Sequence, residues 1–176
     1  TSGAFTNAVG TAANQVQWIG AGGFSAQGGA LNVTLSNDAV TPITWNAAGL
    51  GGTGELQFSS PTADNTVTFN NTLDLVNGNR TIRVFDGSAA VDAIITGVLF
   101  STTSTTGGSI TKQGPGTLAF TAANTYAGFT TVAGGTLKIG NGAGTIGSLG
   151  SLVHGNAGTL IWFDRDSSFS QGTVQG

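Results

Sequence analysis

Hydrophobic and polar residues alternate along this chain in short runs. Each run places apolar side chains two residues apart, which is the period of a strand buried on one face. A longer run, Ala93–Phe100, indicates either a strand buried on both faces or one that bends around Gly97. The alternating runs are Leu31–Leu35, Pro42–Trp45, Thr66–Phe69, Leu73–Val76, Thr81–Phe85, Thr117–Phe120, Thr136–Ile139 and Thr159–Phe163.

Turn-forming pairs separate these runs, and no segment combines a 3.6-residue period with helix caps. The asparagine–glycine and aspartate–glycine pairs suit either two-residue hairpins or the corners of a coil. The pattern therefore predicts an all-β protein with essentially no helix. The turn signals are Asn77-Gly78, Asp86-Gly87, Gly107-Gly108, Gly114-Pro115-Gly116, Gly134-Gly135 and Asn141-Gly142.

The composition strengthens this prediction and narrows the possible partners. Glycine accounts for 30 of 176 residues, and charged residues make up 7%, against roughly 25% in typical soluble domains. Five basic residues cannot form a groove that follows phosphates, so we expect no nucleic-acid partner. The chain has no cysteine, which excludes a thiol nucleophile, a disulfide and a cysteine-ligated metal. No apolar run is long enough for a membrane helix, so we expect no membrane insertion by this chain.

The tripeptide Gly-Thr-Leu occurs three times, at residues 116–118, 135–137 and 158–160. Another short strand, Thr130–Val132, lies between the first two copies. Strands and turns that recur about every 20 residues are typical of a solenoid, in which successive coils stack in parallel. Aliphatic and phenyl side chains then point inward, threonines form outward ladders and glycines occupy the corners. We therefore predict a single β-solenoid module over residues 1–176, with coils of roughly 20 residues.

The segment from Ser109 to Gly150, SITKQGPGTLAFTAANTYAGFTTVAGGTLKIGNGAGTIGSLG, resembles the autotransporter-associated β-strand repeat, or passenger-associated transport repeat. Looser similarity extends over residues 22–160. The resemblance implies a right-handed parallel β-helix at or beyond the bacterial cell surface, acting as a passenger, stalk or adhesive fibre. Phe120 and Phe129 depart from the usual residues of the repeat. The matching positions are Lys112, Gly114, Gly116, Asn124, Tyr126, Gly128, Thr131 and Gly135.

Two acidic segments were weighed as calcium sites. Asp164-Arg165-Asp166 is the densest charge cluster, and could also be an acid–base set like that of polysaccharide lyases, which share this fold class. Calcium takes six to eight oxygen ligands, so we favour a solvated turn with Arg165 between two carboxylates. Residues 51–58 loosely resemble one calcium-binding nonapeptide, with Glu55 one position out of step. Such sites need stacked copies, and only one is present.

Other polar residues also favour structural roles. His154, the only histidine, has no serine or acid in a catalytic context, which predicts an outward strand residue. Arg80, Arg83 and Asp86 could line a lyase-like face, but a surface ion pair is the simpler interpretation. We therefore predict no catalytic residue, no cofactor and no metal site.

The aromatic residues allow two interpretations. Trp18, Trp45, Trp162 and Tyr126 could stack against sugars, or they could pack in the core. Their position within alternating apolar runs favours the core. A row of exposed tryptophan and tyrosine side chains on one face would favour glycan binding instead.

The terminal segments suggest how the module is used. Residues 1–11 and 167–176 contain no evident polar cap, and the first ten residues do not resemble a signal peptide. We expect either a fragment of a longer solenoid or a subunit that self-associates through its open ends. The leading hypothesis is a non-catalytic structural protein of a bacterial surface fibre or adhesin stalk, located extracellularly or on the cell surface. The alternatives are a module that binds cell-surface glycans and a polysaccharide-degrading enzyme.

Overall fold

The chain winds into stacked coils of short parallel strands. A computed structural model describes residues 2–45, 50, 54–102, 107–142, 147–150, 153–165 and 174–175. One short 3-10 helix, Leu35–Asn37, lies in these ranges. The strands are β1 (Gly3–Phe5), β2 (Gly22–Phe24), β3 (Leu31–Val33), β4 (Ile43–Thr44), β5 (Leu56–Phe58), β6 (Val67–Phe69), β7 (Leu73–Asp74), β8 (Asn79–Val84), β9 (Ala93–Ile95), β10 (Leu99–Phe100), β11 (Ser109–Gln113), β12 (Thr117–Phe120), β13 (Thr130–Val132), β14 (Thr136–Ile139), β15 (Val153–Gly155), β16 (Leu160–Phe163) and β17 (Val174–Gln175).

Three parallel sheets form the walls of the solenoid. Sheet A has the order β1-β3-β6-β9-β12-β14-β16, and sheet D has the order β2-β5-β8-β11-β13-β15-β17. Sheet F is shorter and contains β4, β7 and β10. Each coil passes from sheet A, past sheet F where that wall has a strand, to sheet D, and the next coil stacks on it in chain order. This topology confirms the predicted all-β parallel β-helix.

The coils differ in length. Thr117 pairs with Thr136, only 19 residues later, which is the predicted coil of about 20 residues. Upstream coils are longer: Gly3 pairs with Leu31, 28 residues on, and Leu31 pairs with Val67, 36 residues on. The additional residues lie in the corners, because the strand register is kept from coil to coil.

The core consists of side-chain columns that run along the solenoid. One column of sheet A has an apolar residue in every coil, and its members from the second to the sixth coil are buried. Such stacking removes apolar surface from water at every step, which stabilises the fold by roughly 25 cal/mol per Å². That column contains Phe5, Val33, Phe69, Ile95, Phe120, Ile139 and Phe163.

The run Ala93–Phe100 adopts the bent alternative. Strand β9 ends at Ile95 in sheet A, and β10 begins at Leu99 in sheet F. Gly97 turns the corner between them, where a Cβ atom would collide with the Asn71 backbone of the preceding coil. In the described ranges, no helix is both long and apolar enough to cross a membrane.

Candidate functional site

The outer face of sheet D carries a ladder of polar side chains. Thr81, Thr111, Thr131 and His154 occupy equivalent positions on four successive strands. Since neighbouring strands in a sheet lie about 4.8 Å apart, these side chains form a continuous row. His154 also contacts the ring of Phe129, with a centroid separation of 5.2 Å. The histidine thus lies on a strand, beside an exposed aromatic ring.

An ion pair spans the coils on the same sheet. Arg83 donates from Nε and Nη2 to the two carboxylate oxygens of Glu55, at 2.7 and 2.9 Å, and also to Gln113 Oε1. The hydrogen bond from Arg83 holds the pKa of Glu55 below its ordinary value, against the opposing effect of burial. The same bond raises the pKa of Arg83. Glu55 therefore serves as a cross-coil partner of Arg83.

The corner between sheets D and A contains a buried carboxylate. Asp92 is 1% exposed. Its Oδ1 accepts hydrogen bonds from Gly87 N at 2.7 Å and Ser59 Oγ at 3.2 Å, and its Oδ2 accepts one from Thr117 N at 2.8 Å. These donors belong to different coils, so one side chain connects several layers of the solenoid.

A buried ammonium group lies at the next step of the same corner. Lys112 is fully buried, and its Nζ donates to the carbonyl oxygens of Gly114 at 2.7 Å, Gly134 at 2.7 Å, and Gly116. Burial lowers the pKa of Lys112 to about 8, although the charges of Asp92 and Asp86 act to raise it. The group is therefore largely protonated at neutral pH.

The corner between sheets A and F is held by side-chain amides. Asn71 accepts from Leu35 N at 2.8 Å and donates to Leu35 O at 3.0 Å, which joins two coils. Asn124 accepts from Leu99 N at 2.8 Å and donates to Ser148 O at 2.7 Å. Buried polar backbone atoms need such partners. The amides thus replace strand pairing where sheet F is interrupted.

Two further buried polar groups belong to this wall. Asp74 accepts hydrogen bonds from Val76 N and from the backbone and hydroxyl of Thr102. Burial alone would raise the pKa of Asp74, but these bonds and the charge of Arg80 lower it on balance. Tyr126 is fully buried and hydrogen-bonds Thr130 Oγ1 at 2.6 Å, and its burial raises the pKa of the phenol to about 12.

The structure pairs the residues of the Asp164 segment differently from the prediction. We expected Arg165 to lie between two carboxylates. Instead, Asp164 forms a 2.9 Å ion pair with Lys138, and Arg165 Nη1 donates to Gly147 O at 2.8 Å. Lys138 Nζ also lies 5.0 Å from the ring centre of Trp162. Asp166 lies outside the described residues.

The other candidate residues are not gathered into one site. Arg80 donates to Leu75 O and faces the Trp45 ring, Arg83 binds Glu55, and Asp86 is exposed. Of the nonapeptide-like segment, residues 51–53 lie outside the described residues. In the part of the chain that the structure describes, no three acidic or histidine side chains converge on a possible metal position.

The aromatic residues divide between the core and the surface. Trp18, Trp45 and Tyr126 are buried, as core packing requires. Trp162 and Phe129 are each 52% exposed, but Trp162 lies on sheet A and Phe129 adjoins sheet D. Among the described aromatic residues, these two do not form the single exposed row that would favour glycan binding.

Sequence reasoning did not single out Asp92, Asn71 or the amine of Lys112 as structural centres. The available signal for Lys112 was a charged residue in an inward position of an alternating run, followed directly by a glycine-rich turn. For Asp92, the signal was an acid at the start of a strand. Neither pattern identifies the partners, because those come from other coils.

Comparisons with known proteins agree with this architecture. Residues 110–139 match the family model described as Passenger-associated-transport-repeat. Searches of curated proteins and of solved structures found no significant match. The match confirms the repeat recognised between Ser109 and Gly150 and covers β12, β13 and β14 together with nearly all of β11. Repeats of this kind belong to autotransporter passenger domains, which are secreted to the cell surface.

Proposed function

We propose that the chain is a non-catalytic structural segment of an extracellular bacterial surface solenoid, which extends by end-to-end stacking of coils. The observation that carries this proposal is the unbroken parallel register of sheets A and D over seven strands each. Such an assembly grows by adding further coils, because every coil presents to the next one the same backbone pattern that it received.

The first coil offers features that another coil would complete. Strand β1 lies at the edge of sheet A and β2 at the edge of sheet D in the described chain. A cavity of about 490 Å³ opens beside them and is lined partly by Phe5, Trp18 and Phe24. Trp18 Nε1 is buried there without a hydrogen-bond partner in the described structure. An added coil would supply apolar side chains to the cavity and carbonyl groups to the donors.

The buried polar groups support a structural role over a catalytic one. Asp92, Lys112 and Asn71 are saturated by backbone partners, and each ties neighbouring coils together. A catalytic acid or base must instead reach a substrate. The extracellular location is supported by the matched repeat and by the sparse charge of the chain.

The decisive experiment blocks the open edge of β1. Gly3 N donates to Ala30 O and Phe5 O accepts from Thr34 N, so these groups face β3. Backbone groups of successive strand residues point to opposite sides, which leaves the Ala4 N–H on the open edge. Ala4→Pro removes this donor and places a ring there, whereas Ala4→Ser keeps the donor and is the matched control.

Sedimentation velocity and negative-stain microscopy at increasing protein concentration measure the outcome. We expect rods that lengthen with concentration for the unmodified chain and for Ala4→Ser, and short particles for Ala4→Pro. A chain that stays monomeric at its highest soluble concentration would refute assembly through the ends. Equal assembly of Ala4→Pro would show that another surface makes the contact.

Glycan binding is the second candidate, and the half-exposed ring of Trp162 favours it. Aromatic faces are common platforms for ligand contacts, but one face of this ring already meets Lys138. A glycan array with the unmodified chain and Trp162→Ala tests this function. Binding that is lost in the variant would support it, and no binding by either protein would exclude a glycan site at Trp162 for the glycans on the array.

A further inference from the structure

Lys112 occupies a position that its neighbours fill with apolar side chains. Through the strand register of sheet D, Leu56 pairs with Ile82, Ile82 with Lys112, and Lys112 with Val132. All four side chains point into the solenoid and are buried. A lysine in an aliphatic column is costly unless its charge is compensated, so the reason for its presence must lie at the ammonium group.

Three backbone carbonyl groups converge on that ammonium. The oxygens belong to Gly114, Gly116 and Gly134, which lie at the corners of two successive coils. Glycine is required around this point: Gly135 has φ +63°, and a Cβ atom there would lie 2.6 Å from Lys112 Nζ. Convergence of three carbonyl dipoles on one point creates a negative potential, which favours a cation over a neutral donor.

The charges that face Lys112 are few. Asp92 and Asp86 are the acidic groups that act on it. On the neighbouring strand β8, Arg83 is paired with Glu55, and Arg80 donates to Leu75 O. Strand β13, on the other side, contains no titratable residue. The carbonyl groups are therefore the direct partners of the ammonium, with acidic charge further away.

We propose that the carbonyl groups of Gly114, Gly116 and Gly134 form a monovalent-cation site that Lys112 fills with its own ammonium. The site joins the corners of two coils, so occupancy couples the layers of the repeat. Two of the oxygens lie 2.7 Å from Nζ. Ca²⁺ and Mg²⁺ prefer oxygen ligands at about 2.0–2.6 Å, whereas backbone carbonyl rings hold K⁺ in selectivity filters. Without the lysine amine, the site therefore takes K⁺ or NH₄⁺.

The test removes the amine and supplies a free cation. Lys112→Ala vacates the cradle, Lys112→Met fills it with an uncharged side chain of similar length, and Lys138→Ala removes the other lysine of the chain. Urea unfolding is measured in KCl, NH₄Cl and choline chloride at equal ionic strength. For Lys112→Ala, we expect K⁺ or NH₄⁺ to raise the folding equilibrium constant about tenfold over choline, as binding at about ten times Kd requires.

The controls decide between this site and a general salt effect. The unmodified chain, Lys112→Met and Lys138→Ala should show no difference among the three salts. Equal stability of Lys112→Ala in all three salts would overturn the proposal. If Lys112→Ala does not fold in any salt, ¹⁵N NMR of the unmodified chain decides: slowly exchanging Lys112 ammonium protons support the site, and exchange as fast as that of an exposed lysine overturns it.

Discussion

The carboxylate of Asp92 makes a sharp prediction about how coils hold together. Its two oxygens accept hydrogen bonds from two backbone N–H groups and one hydroxyl, in a position that is 1% exposed. Asp92→Ala removes the acceptor and leaves three buried donors without a partner. Each such donor costs about 1–3 kcal/mol. Because some donors can relax toward water, we expect a total loss of about 3–6 kcal/mol in the free energy of unfolding.

Two other variants show whether the acceptor is the cause. Asp92→Asn keeps the shape but turns an NH₂ group toward a donor, so its loss should be intermediate. Asp86→Ala removes an exposed carboxylate six residues earlier in the chain and should change stability by at most about 0.5 kcal/mol.

Urea unfolding followed by circular dichroism gives the free energies, and hydrogen exchange locates the change. Faster exchange in Asp92→Ala should centre on the amides of Gly87 and Thr117, since these lose their acceptor. A loss below about 1 kcal/mol for Asp92→Ala would refute the reasoning. So would an equal loss for Asp86→Ala.

Three further predictions follow from other contacts. Since the pKa of Lys112 falls from 10.5 to about 8 on folding, the unfolded chain binds an extra proton between these pH values; stability should therefore rise with pH there, by up to about 3 kcal/mol, in urea titrations that leave Lys112→Met flat. Phe120→Ala empties a fully buried position and should cost about 3–5 kcal/mol in the same assay, whereas the half-exposed Phe129→Ala should cost less than about 1 kcal/mol. Arg83→Ala removes the pair with Glu55 and should cost at most about 1 kcal/mol at neutral pH, a difference that vanishes as the pH falls below the lowered pKa of Glu55.

Alternation revealed the strands that have large side chains on both sides of a polar residue, such as β3 and β6. It missed β1 and β2, which read Gly-Ala-Phe and Gly-Gly-Phe. These segments are strands because β3 and β5 offer them a paired edge, and a short glycine-rich sequence does not contain that information. The resemblance to a repeat supplied the parallel stacking, which periodicity alone left open against hairpins.

The buried polar centres were beyond the sequence for a related reason. The partners of Asp92 lie 33, 5 and 25 residues away along the chain. Coil length sets which residues meet, and corners follow no period, so only the coil between Thr117 and Thr136 could be predicted in length. The pairing of Asp164 with Lys138 has the same origin, because the two residues meet only once β14 and β16 are in register.

The longest coil shows how freely this architecture accepts extra chain. Between Leu31 and Val67, a corner segment leaves the wall, carries the 83% exposed Val40 and returns without shifting the register of β3 on β6. A foreign peptide grafted after Val40 would accordingly protrude from an intact scaffold. Grafts on successive coils would present epitopes at intervals of about 4.8 Å, a density suited to vaccine display.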